Sequence, residues 1–282
     1  MLHQVHWTPQ KIAQRIKLIE PWVYRQRIPL PAFRYKTLSS PLETPPVGAD
    51  VDDRAWEVIQ PKSYWGTWMT DFILRARFQI PADWSADLPA ALYLPLGEAG
   101  DFSHPETLAY IDGQPYAAAD RHHQEILLPP PCRDGQPHHL ALHGWTGLGG
   151  ETNKDPDTRL YMRECAVVQI DPPTRELVAA ARITLDVAAQ LDDDDPVKAR
   201  LYNALDETFK VLDTRDPLGS PAFYESVPAA LAALKQGIES AGAPLDVDII
   251  GIGHAHTLMS PGCGLLDRRC VNRGAPSAQS CV

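Results

Sequence analysis

The sequence predicts a multidomain α+β protein: an N-terminal helix, an antiparallel β-sandwich and a helical segment, followed by the first strand of a third unit. Three observations lead to this prediction. Residues 64–150 hold short apolar–polar alternations separated by turn residues, which is typical of a β-sandwich. From residue 171 the apolar residues recur at helical spacing. Residues 245–256 form a β-branched run that ends in a Gly-His-Ala-His turn.

Composition narrows the class of protein. The chain has 282 residues, 44% of them hydrophobic, which is enough to bury a sizeable core. A formal net charge of −10 argues against nucleic acid or an anionic membrane surface as a partner. No apolar run approaches the roughly 18 residues of a membrane-spanning helix, and the N-terminus lacks a signal-peptide pattern. Only Cys132 and Cys165 precede residue 257, so we expect a cytoplasmic protein without a disulfide framework.

The N-terminal half divides into two predicted segments. Residues 1–60 are expected to hold one helix and an irregular, proline-rich lead-in. Thr8 and Pro9 suit a helix start, and Ile12, Ile16 and Ile19 then fall on one helical face. The predicted sandwich occupies residues 61–170, with strands at 72–78, 90–95, 107–111, 125–128 and 138–143.

The helical segment is predicted at residues 171–243. It begins at Asp171-Pro-Pro-Thr-Arg-Glu, a helix-start signal, and ends at Gly242. Helices are expected at 172–191, 195–213 and 222–241. The run of four aspartates at 192–195 makes a polar turn, so the first two helices should pack as a hairpin. A strand at 244–256 follows, and residues 257–282 show no hydrophobic periodicity.

Histidines provide the first candidate site. An HxH pair at the end of a strand places His254 and His256 on one face, where both can meet one metal ion. An ordinary strand-end turn explains the same pattern, and the residues alone leave both open. The adjacent pairs His122-His123 and His138-His139 point to opposite faces of a strand, so surface histidines are the favoured interpretation there.

Aromatic residues crowd one part of the predicted sandwich. Aromatic rings stack on sugar rings, so a carbohydrate-binding patch is one interpretation, and burial in the core or in an interface is the favoured one. The residues concerned are Trp56, Tyr64, Trp65, Trp68 and Trp84. The aspartate run 192–195 lacks the spaced ligands of a calcium loop, so a solvated turn is favoured.

Six short motifs between residues 65 and 256 stand out by their order and spacing. They are Trp65-Gly-Thr-Trp68, Tyr110-Ile-Asp-Gly-Gln-Pro-Tyr116, Asp120-Arg-His-His-Gln-Glu-Ile-Leu-Leu-Pro129, His143-Gly-Trp-Thr-Gly-Leu-Gly149, Leu212-Asp-Thr-Arg-Asp-Pro217 and Gly253-His-Ala-His256. In that order and spacing they resemble the N-terminal region of the long-type glycoside hydrolase family 38 α-mannosidases, and the resemblance covers nearly all of residues 7–256.

The resemblance implies an activity and a cofactor. That family hydrolyses terminal α-linked mannose with retention and uses a divalent metal, usually zinc, held in a β/α barrel behind a β-sandwich and a helical segment. It makes residues 244–256 the first barrel strand and His256 a metal ligand, with no ligand role for His254. Leu258 stands where the family has its aspartate ligand. The nucleophile and the acid/base are expected downstream, so no catalytic residue is assigned.

A shift of the reading frame explains why Leu258 replaces the aspartate expected of the family. The codons for Leu258-Met-Ser-Pro-Gly-Cys-Gly264, shifted by two bases, are compatible with Asp-Val-Ala-Trp-Leu-Trp, the continuation expected of the family. We therefore expect a frameshift after His256 and an out-of-frame tail at 257–282. The chain is then a truncated enzyme that is inactive alone and holds no tight zinc. The expected partner is a mannose-containing oligosaccharide, with homo-oligomers formed by the intact enzyme.

Two alternatives to a truncated enzyme remain open. In the first, the chain is a non-enzymatic carbohydrate-binding β-sandwich module. In the second, it is an interaction fragment whose helices pack on a separate partner.

Overall fold

The computed structural model describes residues 8–99, 103–149 and 155–242. The predicted strand 244–256 and the predicted tail 257–282 lie outside these residues, as do His254, His256 and Leu258. The described part forms four α-helices: α1 Thr8–Ile19, α2 Pro172–Gln190, α3 Pro196–Val211 and α4 Pro221–Ala241. Two short 3₁₀ turns lie at Glu20–Val23 and Pro130–Arg133.

Twelve strands accompany the helices in the described part of the chain. They are β1 Tyr24–Pro29, β2 Phe33–Thr37, β3 Glu57–Ile59, β4 Ser63–Trp65, β5 Asp71–Phe78, β6 Ala90–Tyr93, β7 Glu106–Ile111, β8 Gln114–Ala119, β9 Glu125–Leu127, β10 His138–Trp145, β11 Leu160–Met162 and β12 Ala166–Ile170. Every pairing between them is antiparallel. A four-stranded sheet has the order β1-β12-β6-β9, a six-stranded sheet has the order β3-β2-β5-β10-β7-β8, and β11 pairs with β4.

The two large sheets share one apolar core. Phe72 and Leu142 of the six-stranded sheet belong to the same buried cluster as Leu92 and Val167 of the four-stranded sheet. Side chains from two inner faces that meet in one core are the layering of a β-sandwich.

The other face of the four-stranded sheet carries the helices. Val168 and Ile170 of β12 belong to a second buried cluster with Ile12 of α1, Leu177 of α2 and Phe223 of α4. The order of layers is therefore six-stranded sheet, four-stranded sheet, helices. The described residues all belong to one compact unit, to which all three of the first predicted segments contribute; the predicted domain boundaries themselves stay predictions.

Many of the predicted elements are confirmed. The five predicted strands appear as β5, β6, β7, β9 and β10, and all four predicted helices are present. α2 and α3 are separate helices that pack against each other, as expected of the predicted hairpin. The turn between β7 and β8 has positive φ at both Asp112 (50°) and Gly113 (80°), which suits the tight turn of a two-residue hairpin.

The prediction of an irregular segment at residues 21–60 was wrong. This segment contains β1, β2 and β3, and β2 lies inside the six-stranded sheet, paired with both β3 and β5. In β2, Phe33 and Tyr35 are buried while the residues between and after them are not, which is the ordinary alternation of a half-buried strand. The surrounding prolines fall between the strands or at a strand end and do not break them.

Strand β12 was missed for a different reason. All five of its residues are buried, because one face contacts the sandwich core and the other contacts the helices. Such a strand reads as a short continuous apolar run without alternation.

Candidate functional site

The adjacent histidine pairs do not form chelates. His138 lies between two carboxylates, with Nδ1 2.7 Å from Asp112 Oδ2 and Nε2 3.1 Å from Asp134 Oδ1, and its ring stacks on Phe78. Its neighbour His139 pairs across the sheet with Arg77. In the other pair, both residues are exposed and His123 contacts Asp120. His122 and His123 are surface histidines, as the sequence predicted, whereas His138 and His139 are half-buried in β10.

The two residues of the pair at 138–139 differ in their protonation. Burial lowers the pKa of His138, but hydrogen bonds to Asp112 and Asp134 outweigh it and raise the pKa above its ordinary value. Burial lowers the pKa of His139, and the positive charges of Arg77 and Arg75 lower it further. The pKa values of these two neighbouring histidines on β10 are therefore shifted in opposite directions.

Metal binding finds no support within the described residues. Across residues 8–99, 103–149 and 155–242, no group of three or more His, Cys, Asp or Glu side chains is placed to hold a metal ion. Stable zinc sites use three or four protein ligands, so this part of the chain does not fit a resident zinc. The predicted ligand His256 lies outside it.

The crowded aromatic residues differ in how deeply they are buried. Trp65 is 3% exposed, its indole Nε1 donates to the carbonyl oxygen of Leu96 at 2.7 Å, and its ring lies 5.0 Å from that of Phe72. It is a core residue, as favoured. Its neighbour Tyr64 is 71% exposed and meets the ring of Tyr161 at 5.1 Å. The ribbon of β4 and β11 thus presents two tyrosine rings to solvent.

Trp84 borders a cleft at one end of the sandwich. The cleft has a volume of about 300 Å³ and lies between the β1–β12 edge of the four-stranded sheet, in which β1 is the edge strand, and the connection 79–89, which crosses from one sheet to the other. Trp84 packs in part against the sandwich core. The side chains that line the cleft are Arg25, Gln26, Asp83, Trp84, Ser85, Leu88 and Gln169.

Two tertiary contacts hold the wall of this cleft in place. The guanidinium of Arg133 donates to the carbonyl oxygens of Ser85, Ala86 and Leu88. The Nε2 of Gln169 also donates to the carbonyl oxygen of Ser85, at 3.0 Å. The connection that carries Trp84 is therefore tied to both neighbouring elements.

A β-bulge shapes the other wall. Tyr24 pairs with Ile170 and Gln26 pairs with Gln169, so Arg25 is an extra residue in β1. Bulges of this kind re-aim side chains and are common beside functional sites. The Nε of Arg25 donates to Asp171 at 2.6 Å, and its guanidinium lies 4.2 Å from the centre of the Tyr224 ring. Arg25 is thereby fixed between the cleft and the helices.

The chemistry of the cleft is that of binding. Asp83 is the one carboxylate among the described residues that line it, and glycoside hydrolysis ordinarily needs two carboxyl groups around one sugar. An aromatic ring beside carboxamides and a carboxylate suits a ligand with apolar C–H faces and many hydroxyl groups. Sequence reasoning pointed to Trp84 alone, because the remaining residues carry no motif.

Two of the six motifs contain positions where the backbone restricts the choice of residue. Gly147, in the fourth motif, has a φ of 68°, and a Cβ there would overlap the carbonyl oxygen of His104. Such a position accepts glycine and little else. The second motif supplies the turn between β7 and β8. These motif residues therefore serve the packing of the sandwich.

Comparison with known proteins does not place the chain in a family. No protein-family model and no curated protein matches it. Among solved structures it is similar to β-glucuronidases. That of Bacteroides uniformis gives a TM-score of 0.37 at 13% identity, covering 51% of this chain and 18% of the other. That of Faecalibacterium prausnitzii gives 0.37 at 10%, covering 52% and 32%. That of Ruminococcus gnavus gives 0.34 at 13%, covering 52% and 28%.

These solved structures are glycoside hydrolases, and the chain spans less than two thirds of the length of each. Similarity at TM-scores this low carries no argument about the activity of this chain. Among the helices that the structure describes, none has the length and apolar character needed to cross a membrane.

Proposed function

We propose that this chain is the N-terminal region of a retaining, metal-dependent α-mannosidase that hydrolyses terminal α-linked mannose. His256 is then a ligand of the metal, zinc, in a barrel that follows the described residues. The observation that carries the proposal is the set of six motifs from Trp65 to His256, which occur in the order and spacing of the long-type family 38 α-mannosidases.

The order of elements supports the proposal. The family has a β-sandwich and a helical segment before its barrel, and the described residues form a helix, two packed antiparallel sheets and three further helices in that order. The motif residues Asp112, Gly113 and Gly147 sit where the backbone of the sandwich restricts the choice of residue. The motifs are therefore linked to the fold itself.

The proposal assigns hydrolysis to a protein that continues into the barrel. A retaining glycosidase needs a nucleophile and an acid/base around one sugar, and the family carries both beyond the position of His256. The mannose-containing substrate, the cytoplasmic location and assembly into homo-oligomers belong to the same proposal.

Restoring the reading frame tests this function. The DNA around codon 257 is sequenced, and the protein is expressed in the frame that continues with Asp-Val-Ala-Trp-Leu-Trp. We expect turnover of 4-nitrophenyl α-mannoside with retention, lost in His256→Ala and kept in the matched control His254→Ala. Cleavage of 4-nitrophenyl β-glucuronide instead, or a frame that encodes no barrel, would contradict the proposal.

A second function, sugar binding by the sandwich without hydrolysis, is favoured by the cleft beside Trp84. In that case the 282-residue chain binds a sugar by itself and turns none over.

A further inference from the structure

We infer that the cleft between the β1–β12 edge and the connection 79–89 binds one neutral hexose unit, with Gln26, Asp83 and Gln169 as its polar contacts and Trp84 beside its apolar face. This inference rests on the second function, sugar binding by the sandwich, and is independent of the α-mannosidase proposal.

The size of the cleft fits a single sugar ring. Pockets for small ligands begin at roughly 300 Å³, and this cleft has about that volume. The loop that carries Trp84 is tied down by Arg133 and Gln169, so the cleft is preformed. A preformed site avoids the ordering cost that weakens binding by mobile loops.

Gln169 is the strongest sign of a built site. Its residue is 4% exposed, yet it lines the cleft. Its Nε2 donates to the carbonyl oxygen of Ser85, while no residue among 8–99, 103–149 and 155–242 donates to its carboxamide oxygen. This oxygen does not belong to the buried atoms left without a partner in those ranges, so it is reached by solvent and can accept a hydrogen bond from a ligand hydroxyl.

The bulge at Arg25 brings a second carboxamide to the same place. Because of the extra residue, Gln26 rather than Arg25 stands directly opposite Gln169. Directly opposite residues have Cβ atoms roughly 5 Å apart. Gln26 is exposed, and its side chain makes no hydrogen bond to the described residues. Two carboxamides side by side suit a pair of neighbouring hydroxyls, since each group both donates and accepts.

The charges at the cleft favour a neutral ligand. The positive charge of Arg25 is paired with Asp171, whose side chain is 1% exposed. Asp83 is exposed and forms no ion pair within the described residues. The lining therefore offers an anion no free positive charge and one carboxylate that repels it. A neutral hexose fits this arrangement, and a uronate does not.

Binding to the full 282-residue chain tests the inference. The probes are methyl α-mannopyranoside, methyl β-glucopyranoside and sodium glucuronate, titrated by calorimetry and by saturation-transfer NMR. We expect saturable binding of at least one neutral glycoside and about tenfold weaker binding of glucuronate. Gln26→Ala and Asp83→Ala should each weaken the neutral glycoside about tenfold, since each removes a hydrogen bond worth roughly 1.4 kcal/mol.

Matched variants separate binding from folding. Gln114→Ala and Asp87→Ala remove an exposed side chain of the same type outside the cleft, and both should leave the affinity unchanged. Gln26 and Asp83 are exposed, so their variants should keep the wild-type circular dichroism spectrum. Trp84 is left intact, because it packs on the core.

The outcomes distinguish the cleft from the broader function. Equal losses in cleft and control variants would overturn the inference. Binding that is lost in Tyr64→Ala or Tyr161→Ala but kept in Gln26→Ala would also overturn it, while leaving sugar binding by the sandwich intact. No saturable binding of any probe would end both.

Discussion

Arg75 is a charged residue held inside the protein. It is 3% exposed, its Nε donates to Asp53 at 2.9 Å, and its Nη1 donates to the carbonyl oxygen of Pro46 at 2.9 Å. The pair fastens the segment before β3 to the outer face of the six-stranded sheet, where Trp56 also packs. A buried charge is stable only while its partner is present.

Removing that partner should be costly. We expect Asp53→Ala to lower the free energy of unfolding by about 2 to 3 kcal/mol, because it leaves the Arg75 guanidinium buried without its counter-charge. Its neighbour Asp52 pairs with the exposed Arg54, so Asp52→Ala should cost much less than Asp53→Ala. Urea unfolding measures both values, and equal losses would contradict this account.

The two histidines of β10, His138 and His139, should contribute to stability with opposite dependences on pH. The pKa of His138 is raised, so its stabilisation is complete below the ordinary value of 6.5 and is lost as pH rises through the higher value of the folded protein. Its partner Asp112 has a lowered pKa, because the hydrogen bond from His138 outweighs the effect of burial, and it stays ionised down to below its ordinary 3.8. The contact should stabilise most between these two ordinary values.

We therefore expect His138→Gln to be more destabilising near pH 5 than near pH 8.5. The pKa of His139 is lowered, so protonation of the unfolded chain below 6.5 favours unfolding. His139→Gln should then gain stability relative to the wild type as pH falls. Urea unfolding at both pH values checks the two signs, and the same sign in both variants would rule this explanation out.

Among the elements, two helices begin with the same signal and differ in their surroundings. Asp171 caps α2 by accepting from the backbone N–H of Thr174 at 2.9 Å, and it also accepts from Arg25. Asp195 caps α3 by accepting from the backbone N–H of Val197 at 2.7 Å. Both aspartates stand directly before a proline at the first helical position, so they form a matched pair.

Substituting each cap should separate capping from the ion pair. Asp195→Ala should cost about 1 kcal/mol, the usual value of a helix cap. Asp171→Ala should cost about 3 kcal/mol, because it also leaves Arg25 without its counter-charge. Chemical denaturation gives both values. A loss at Asp171 no larger than that at Asp195 would mean that the contact with Arg25 contributes nothing.

At the scale of the molecule, β12 joins the sandwich to the helices. Val167 faces the core between the sheets and Val168 faces the helical layer. Separating the layers would expose one of these apolar faces to water. The described residues should therefore unfold in one cooperative step.

This cooperativity can be measured. Far-UV circular dichroism, which follows the helices, and tryptophan fluorescence, which follows mainly the sandwich, should give the same urea midpoint. Val167→Ala and Val168→Ala should each cost about 2 kcal/mol and shift both signals together. If Val168→Ala moved the helical signal alone, the helices would be an independent unit.

The sequence by itself determined the elements that carry their own local signal. Ile12, Ile16 and Ile19 repeat at helical spacing, Asp171 and Gly242 mark helix ends, and β5 alternates between apolar and polar residues. These signals depend on neighbours along the chain, so they can be read without a fold. The candidate metal ligand His256 likewise came from sequence alone and stays a prediction, since it lies outside the described residues.

Tertiary structure decided what depends on residues far apart in the chain. β12 could not be recognised because burial on both faces removes the alternation by which a strand is read, and β2 was hidden among prolines. The cleft brings Gln26, Trp84 and Gln169 together from three distant segments, through a bulge and a loop tied down by Arg133. No local pattern marks such residues, because what they share is a position in space that exists only after the sheets have packed.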